Sequence, residues 1–311
     1  MILRMIVVLM LCCCLSGCDS PSSEKTLGEL LSLPERTVEI DSPDGIFELF
    51  AELQYTQEEW AAGNRLVPRV YMSGIPARWQ ETSEALTVAK KKELFFRLLT
   101  PLVLHANDVI AQDRNRLLTL GTDFQALSAA DQIWALDLAR QYKIIKAETT
   151  SLSQAHMTLL HNRVDIIPVS LALAQGAEES GWGTSRFAVL GNSLFGQWDF
   201  SGKGIKPERQ RKELGDYGLA RFDTPLDSVM AYMLNLNTHR AYKGLRDYRA
   251  VLRSQGKGVT GYKLATKLDK YSERGMKYVE GLHGIMQVNR LAATNTAHLS
   301  DTEIIYLVVK D

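Results

Sequence analysis

Two adjacent carboxylates, Glu178 and Glu179, close an apolar run that begins at Val169. Pro168 suits the first turn of a helix and Gly181 suits a left-handed exit. The segment between them predicts a helix with apolar residues on nearly every face, which must be buried. A charge at the end of a buried helix is costly unless it is paired, or unless its pKa rises and the acid stays protonated. A carboxylic acid protonated at neutral pH is what glycoside cleavage requires, because the leaving oxygen must receive a proton. The alternative is that one or both glutamates face solvent at a frayed helix end, and this segment alone leaves both readings open.

The following stretch, Phe187 to Trp198, is rich in glycine and aromatic residues. Trp182, Phe195 and Trp198 are flat apolar groups that suit the face of a sugar ring. Asn192 and Gln197 carry amides that suit an N-acetyl group. Taken singly, each aromatic reads more readily as core than as a ligand platform.

The order of these motifs carries a resemblance. Ala174-Gln175-Gly176-Ala177-Glu178-Glu179-Ser180-Gly181-Trp182-Gly183 resembles the A-Q-x-A-x-E-S-G-W-G signature of the glucosaminidase domain of glycoside hydrolase family 73. Gly191-Asn192-Ser193-Leu194-Phe195-Gly196 resembles its G-N-N-L-F-G segment, with Ser193 in place of the second asparagine. Phe222 to Tyr232 matches a later element in part, and Asn235 to Tyr242 and Tyr271 to Val279 resemble the branch of the family known as Bax proteins. The resemblance implies a mostly α (α+β) fold: a lysozyme-like glucosaminidase domain with a small β lobe, preceded by a helical accessory region. It implies hydrolysis of the β-1,4 bond after N-acetylglucosamine in peptidoglycan. It places Glu179 on the general acid, with Glu178 structural, and Gln175 one turn earlier on the same face. Trp182, Asn192, Phe195, Gln197, Tyr232 and Tyr271 are the expected substrate-binding residues. The second carboxylate of the family comes from the β lobe, where Asp199, Glu208, Glu213 and Asp216 are available and Glu208 is preferred. With no such carboxylate, the acetamido group of the substrate would serve as nucleophile. The rival activities are a lytic transglycosylase on the same fold and a wall-binding protein without turnover.

The elements that must position these residues occupy much of the remaining chain. Residues 46–150 alternate helical patterns with loops and read as an accessory layer. Val67 to Pro76 is extended, and Lys90 to Leu117 is a helix that Pro101 kinks or divides. Its Lys90, Lys91, Lys92, Arg97 and His105 exclude a bilayer span. Ser128 with Asp131 marks another helix start. The glucosaminidase domain is assigned to 151–290, and 291–311 to a carboxy-terminal tail whose apolar Ile304 to Val309 either adds a strand or docks.

The amino terminus is a different kind of segment. Arg4 precedes an unbroken apolar run from Met5 to Leu15, too short to span a bilayer and suited to an export signal. Leu15-Ser16-Gly17-Cys18 follows and resembles a bacterial lipobox. Residues 1–18 are therefore expected to be a lipoprotein signal, with Cys18 acylated and inserted in a lipid bilayer. Asp19 then implies retention at the periplasmic face of the inner membrane. Residues 19–45 carry Pro21, Pro34 and Pro43 and read as a tether.

Composition bounds the partners. The 311 residues carry 36 basic and 36 acidic side chains, a balance that argues against a protein that coats nucleic acid. All four cysteines lie in the first eighteen residues, and the six histidines show no H-E-x-x-H spacing, so neither a disulfide framework nor a metal is expected. Gly256 to Gly261 fits G-x-G-x-x-G, but it follows a helical segment rather than a buried strand, so no dinucleotide or other cofactor is expected.

Overall fold

The computed structural model describes residues 33–199, 201–207 and 217–310. The order begins β1 (Glu35–Ile40), α1 (Pro43–Glu52), α2 (Gln57–Ala61), β2 (Leu66–Met72), α3 (Trp79–Glu84) and α4 (Val88–Leu120). It continues α5 (Ala129–Gln141), α6 (Gln154–Arg163), α7 (Val169–Ser180) and α8 (Arg186–Gly191). A short antiparallel pair follows, β3 (Trp198–Asp199) with β4 (Gly218–Leu219). The chain ends with α9 (Pro225–Thr238), α10 (Lys243–Ser254), α11 (Gly261–Ala265), α12 (Met276–Val288) and β5 (His298–Val309). The architecture is mostly helical, of the α+β class.

Local chemistry explains where the helices start. Ser42, Thr56, Thr87, Ser128, Ser153, Ser185, Thr224 and Thr260 each accept a backbone N–H from the first turn that follows. Ser128 bonds Asp131 N at 3.2 Å, as its sequence position predicts. Pro101 neither ends nor divides α4, which runs through it. Packing holds the helix there, since Leu98 to Leu104 are all buried.

The sheet departs from the expected division of the chain. β5 lies between β1 and β2, parallel to both, so the carboxy-terminal segment is the central strand rather than a docked tail. β1 and the start of α1 also take residues 35–40 and 43–45 out of the expected tether, and β2 gives the accessory region a strand. The reason is tertiary: β1 is half exposed, with no long apolar run of its own, and is a strand because β5 pairs Glu35 to Ile40 with Ile304 to Val309. Pro68 cannot donate to the ladder, and the register of β2 shifts there. One contiguous apolar core runs from Ile40 to Leu307, so the expected accessory layer, the expected glucosaminidase domain and the last strand share it.

The entry to α7 is held by a buried charge cluster. Asp165 receives Arg253 through two bonds of 2.5 and 2.6 Å, with Arg249 at 3.3 Å and Arg114 at 3.5 Å. Arg249 is fully buried and also donates to the carbonyls of Asn162, Asp165 and Ile166. Asn107 of α4 both donates to and accepts from Ile167, at 2.8 and 3.1 Å. Asn237 of α9 donates to the Asp165 carbonyl at 2.9 Å. Removing the carboxylate leaves a buried guanidinium without its counter-ion. Asp165→Asn is expected to lose about 3–5 kcal/mol of stability, read by urea unfolding; a loss under about 1 kcal/mol would contradict this account.

Candidate active site

The helix that carries the glutamates is buried from Val169 to Ala177, and Gly181 ends it in the left-handed region at φ 57°. Glycine is suited to that conformation. Glu178 and Glu179, in the last turn, are half-buried and point in different directions. Glu178 pairs with Arg274 at 2.5 Å, at the surface. Glu179 faces a tyrosine cluster contributed by α9, α12 and the segments that precede α10 and α12.

Gln175, one turn before Glu179, is fully buried and organises that cluster. Its Nε2 donates to the Tyr278 hydroxyl at 3.0 Å, and its Oε1 accepts from the Tyr232 hydroxyl at 2.7 Å. The hydroxyl of Tyr278 in turn favours the charged form of the Glu179 carboxylate. Phe195 stacks on Tyr232 with centroids 3.9 Å apart, and Tyr271 stacks parallel to Tyr278 at 5.5 Å. Tyr271 also donates to the Phe195 carbonyl at 3.0 Å, tying the aromatic loop to the segment before α12. Gly196 follows at φ 61°, and a Cβ there would come within 3.1 Å of Glu179 Oε2. Only a residue without a side chain lets the loop approach the acid this closely.

Burial raises the pKa of Glu179 above the ordinary carboxylate range. The Tyr278 hydroxyl pulls the other way by bonding the charged form, the Glu178 charge pushes up, and Arg274 pulls down. The phenols around it are raised by burial, Tyr242 to about 12, and stay neutral donors.

Beyond Gly196, which separates it from Glu179, lies a groove of about 400 Å³ lined by Phe195, Gly196, Gln197, Trp198, Tyr242 and Tyr271, among others. Trp198 is 54% exposed, with the Tyr217 ring tilted against it at 4.9 Å. Gln197 lines the groove with a buried Oε1 that lacks a partner among the described residues. The other predicted contact residues lie elsewhere. The Trp182 ring packs edge-on against Phe95 and Phe96 of α4, with the Lys92 ammonium 4.9 Å above it. Asn192 ends α8 at φ 51°, donates to the Phe222 and Asp223 carbonyls and accepts from Ile75 N, so its amide fastens loops together. Gln175 and Tyr232 stand behind the groove, bonded to each other. Tyr278, Tyr242 and Arg274 were not anticipated as site residues. Tyr278 lies seven residues after Tyr271, a spacing that two helical turns would bring to one side, but its contact with Glu179 depends on how α12 packs.

The second carboxylate is less developed. Asp199 accepts from Ser201 N and Oγ at 3.0 and 2.9 Å, which lowers its pKa and makes it the anchor of a tight turn. Glu208, Glu213 and Asp216 lie outside the described residues, as does Cys18. Among the described residues lining the groove there is no carboxylate.

The raised pKa of Glu179 has a consequence for stability. A group whose folded pKa exceeds its unfolded value stabilises fully below the unfolded pKa, and that contribution is lost as pH rises through the folded pKa. Glu179→Gln, which cannot ionise, is expected to melt at a higher temperature than the natural protein at pH 8 and at the same temperature at pH 3. Thermal melts at the two pH values check this; a variant that is less stable at pH 8 would contradict the burial argument.

A family model described as mannosyl-glycoprotein endo-beta-N-acetylglucosaminidase matches residues 154–291. Those residues include α7, the aromatic loop, β3, β4 and the helices that bring in the tyrosines. Protein bax of Escherichia coli (strain K12) is 34% identical over 200 residues, covering 64% of this chain and 70% of that protein. No solved structure matches. The acid-bearing helix, the groove and the tyrosine cluster all fall inside the matched residues, and with most of the relative's length shared, the chain belongs to the glucosaminidase family, in the branch of the Bax proteins.

Proposed function

We propose that the protein is a peptidoglycan hydrolase that cleaves the β-1,4 bond after N-acetylglucosamine, with Glu179 as general acid. The observation that carries this reading is a half-buried glutamate, raised in pKa, beside a groove with an exposed tryptophan and an unpaired amide oxygen. Membership of a glycoside hydrolase family supports it.

In this reading a glycan strand lies along the groove with a sugar face on Trp198. Glu179 gives its proton to the glycosidic oxygen as the C–O bond breaks and an oxocarbenium-like centre develops. The resulting carboxylate is a buried charge, stabilised by the hydroxyl of Tyr278, which is already aligned by Gln175. The neutral phenols of Tyr242 and Tyr271 narrow the site and exclude water from the acid. Water adds to the anomeric carbon, activated by a β-lobe carboxylate, for which Glu208 remains the preferred residue, or by way of the substrate's acetamido group. The amide oxygen of Gln197 accepts from an acetamido N–H.

The same reading places the protein at the periplasmic face of the inner membrane, anchored through acylated Cys18. Because β1 begins at Glu35, residues 19–34 would connect lipid and fold, reaching at most about 55 Å.

Mass spectrometry of peptidoglycan digested by the mature protein and by Glu179→Gln tests the chemistry. The natural protein is expected to release reducing-end N-acetylglucosamine, and the variant to be slower by about 10²–10⁴. Anhydro-muramyl ends would assign a lytic transglycosylase instead, and binding without new ends by the natural protein a wall-binding role. A pH profile tests the role of the Glu178–Arg274 pair. Activity falls as Glu179 loses its proton, so this titration forms the alkaline limb. Arg274→Gln removes a charge that lowers the pKa and should move that limb to higher pH; Glu178→Gln removes one that raises it and should move the limb to lower pH. Shifts in the same direction, or none, would show that the pair does not tune the acid.

A further inference from the structure

The turn between α9 and α10 has two sides. His239 and Tyr242 line the groove beside Gly196 and Trp198, while Arg240 and Lys243 line a second groove of about 830 Å³ against α6. The turn is thus a wall common to both. The second groove gathers Arg163, Arg240, Lys243 and Arg246, with Asp247 as the one acid among its lining residues. Asp247 is engaged by Lys243 at 2.5 Å. No described carboxylate pairs with Arg163, Arg240 or Arg246 within salt-bridge distance.

Two of these cations are built in rather than loose on the surface. Arg246 is 3% exposed, and its Nη1 donates to the carbonyls of Leu236 and His239, both at 2.9 Å. Arg163 donates through Nη1 to the carbonyls of Tyr142 and Lys143 at 2.6 and 2.9 Å. In both, Nε is buried and has no partner among the described residues. Burial first and the nearby Arg163 charge second push the Arg246 guanidinium down to about 10, with Asp247 only partly offsetting them. Cations held near each other, without enough counter-charge, form a site that an anion relieves. Between them, Ala155 and Leu159 of α6 give the groove an apolar floor, with Leu159 36% exposed.

We propose that this second groove binds a carboxylate-bearing stem peptide of the same peptidoglycan strand whose sugars lie in the first. The assignment of the polymer rests on the reading under Proposed function; the anionic character of the ligand rests on the four cations. A peptide fits both parts of the site, with free carboxylates for the guanidinium groups and aliphatic side chains for Leu159. Reach favours a branch of the same polymer: a four-residue peptide extends at most about 14 Å, and the two grooves are separated by a single turn of chain. The glycan groove reads the sugar, and the basic groove selects strands that still carry their peptides.

The test uses binding, so that it does not depend on turnover. Arg240→Glu with Lys243→Glu is made in the full-length protein carrying Glu179→Gln, because both residues are exposed and neither lines the glycan groove. Sedimentation is measured with soluble glycan strands that bear stem peptides and with strands stripped of them. The unreversed protein is expected to bind the peptide-bearing strands about tenfold more tightly, with the gap closing as salt is raised. The charge-reversed protein should bind both polymers alike, at the affinity the other shows for stripped strands, and that unchanged affinity reports that it is folded. The milder Arg240→Gln with Lys243→Gln should fall between. Equal binding of the two polymers by the unreversed protein would overturn the proposal and leave the glycan reading standing, whereas no binding of either polymer would overturn both. A gap that survives charge reversal would place the peptide elsewhere. Vesicles of phosphatidylglycerol that pellet the protein through Arg240 and Lys243, without any peptide dependence, would overturn the proposal by assigning the groove to a lipid phosphate.

Discussion

Three arginines converge on the carboxylate of Asp165, and the position of Glu179 follows from that convergence. An apolar helix has no polar face to tell it how far to slide or rotate in a core. Here α7 is indexed at its entry by polar bonds from three directions: Asn107 and Arg114 from α4, Asn237 from α9, Arg249 and Arg253 from α10. Each of those helices also walls the core or flanks the grooves. Fixing the start of a rigid helix of three turns fixes its last turn, so the cluster at Asp165 acts on a carboxylate at the other end of α7.

At that other end the structure resolves a conflict between burial and charge. As the proposed general acid, Glu179 must give up solvent so that its pKa rises, yet it must bear a negative charge once its proton has gone. Burial serves the first need and the Tyr278 hydroxyl serves the second. Gln175 makes the arrangement stiff, because each end of its amide is bonded to a different tyrosine, one on α9 and one on α12. A buried polar network of this kind holds only when its members are satisfied together. Glycine at 196 is the complementary device, admitting the aromatic loop close to the acid without covering it.

The accessory layer takes part in the same arrangement. Leu99 of α4 lies where a Cβ on Gly176 would stand, so α4 and α7 meet closely across that glycine. Trp79 donates to the carbonyl of Trp182, and Gly183 leaves room for the Trp79 ring. The tight turn after Glu179 is thereby braced from outside the glucosaminidase residues. The parallel sheet closes the assembly by bringing β1 and the chain's last strand into one layer. That layer leaves no boundary at residue 150 or 290 across which the core divides.

Much of the helical architecture was legible from local order. The apolar run from Val169, its proline and glycine ends and its terminal glutamates act through contacts a few residues apart, so spacing predicts them. Caps such as Ser128 are legible for the same reason. The roles of Trp182 and Asn192 were not, because an aromatic ring or an amide in a loop serves a sugar or a neighbouring helix equally well, and only packing against α4 or the Phe222 carbonyl decides. Tyr278 became a site residue because α12 docks beside α7, and β1 became a strand because β5 returns to it from the far end of the chain. The sequence by itself determined which residues could carry a proton and where helices begin. Tertiary structure decided which side chains surround that proton and which strands pair, because burial and long-range hydrogen bonds depend on segments that the chain brings together only when it folds.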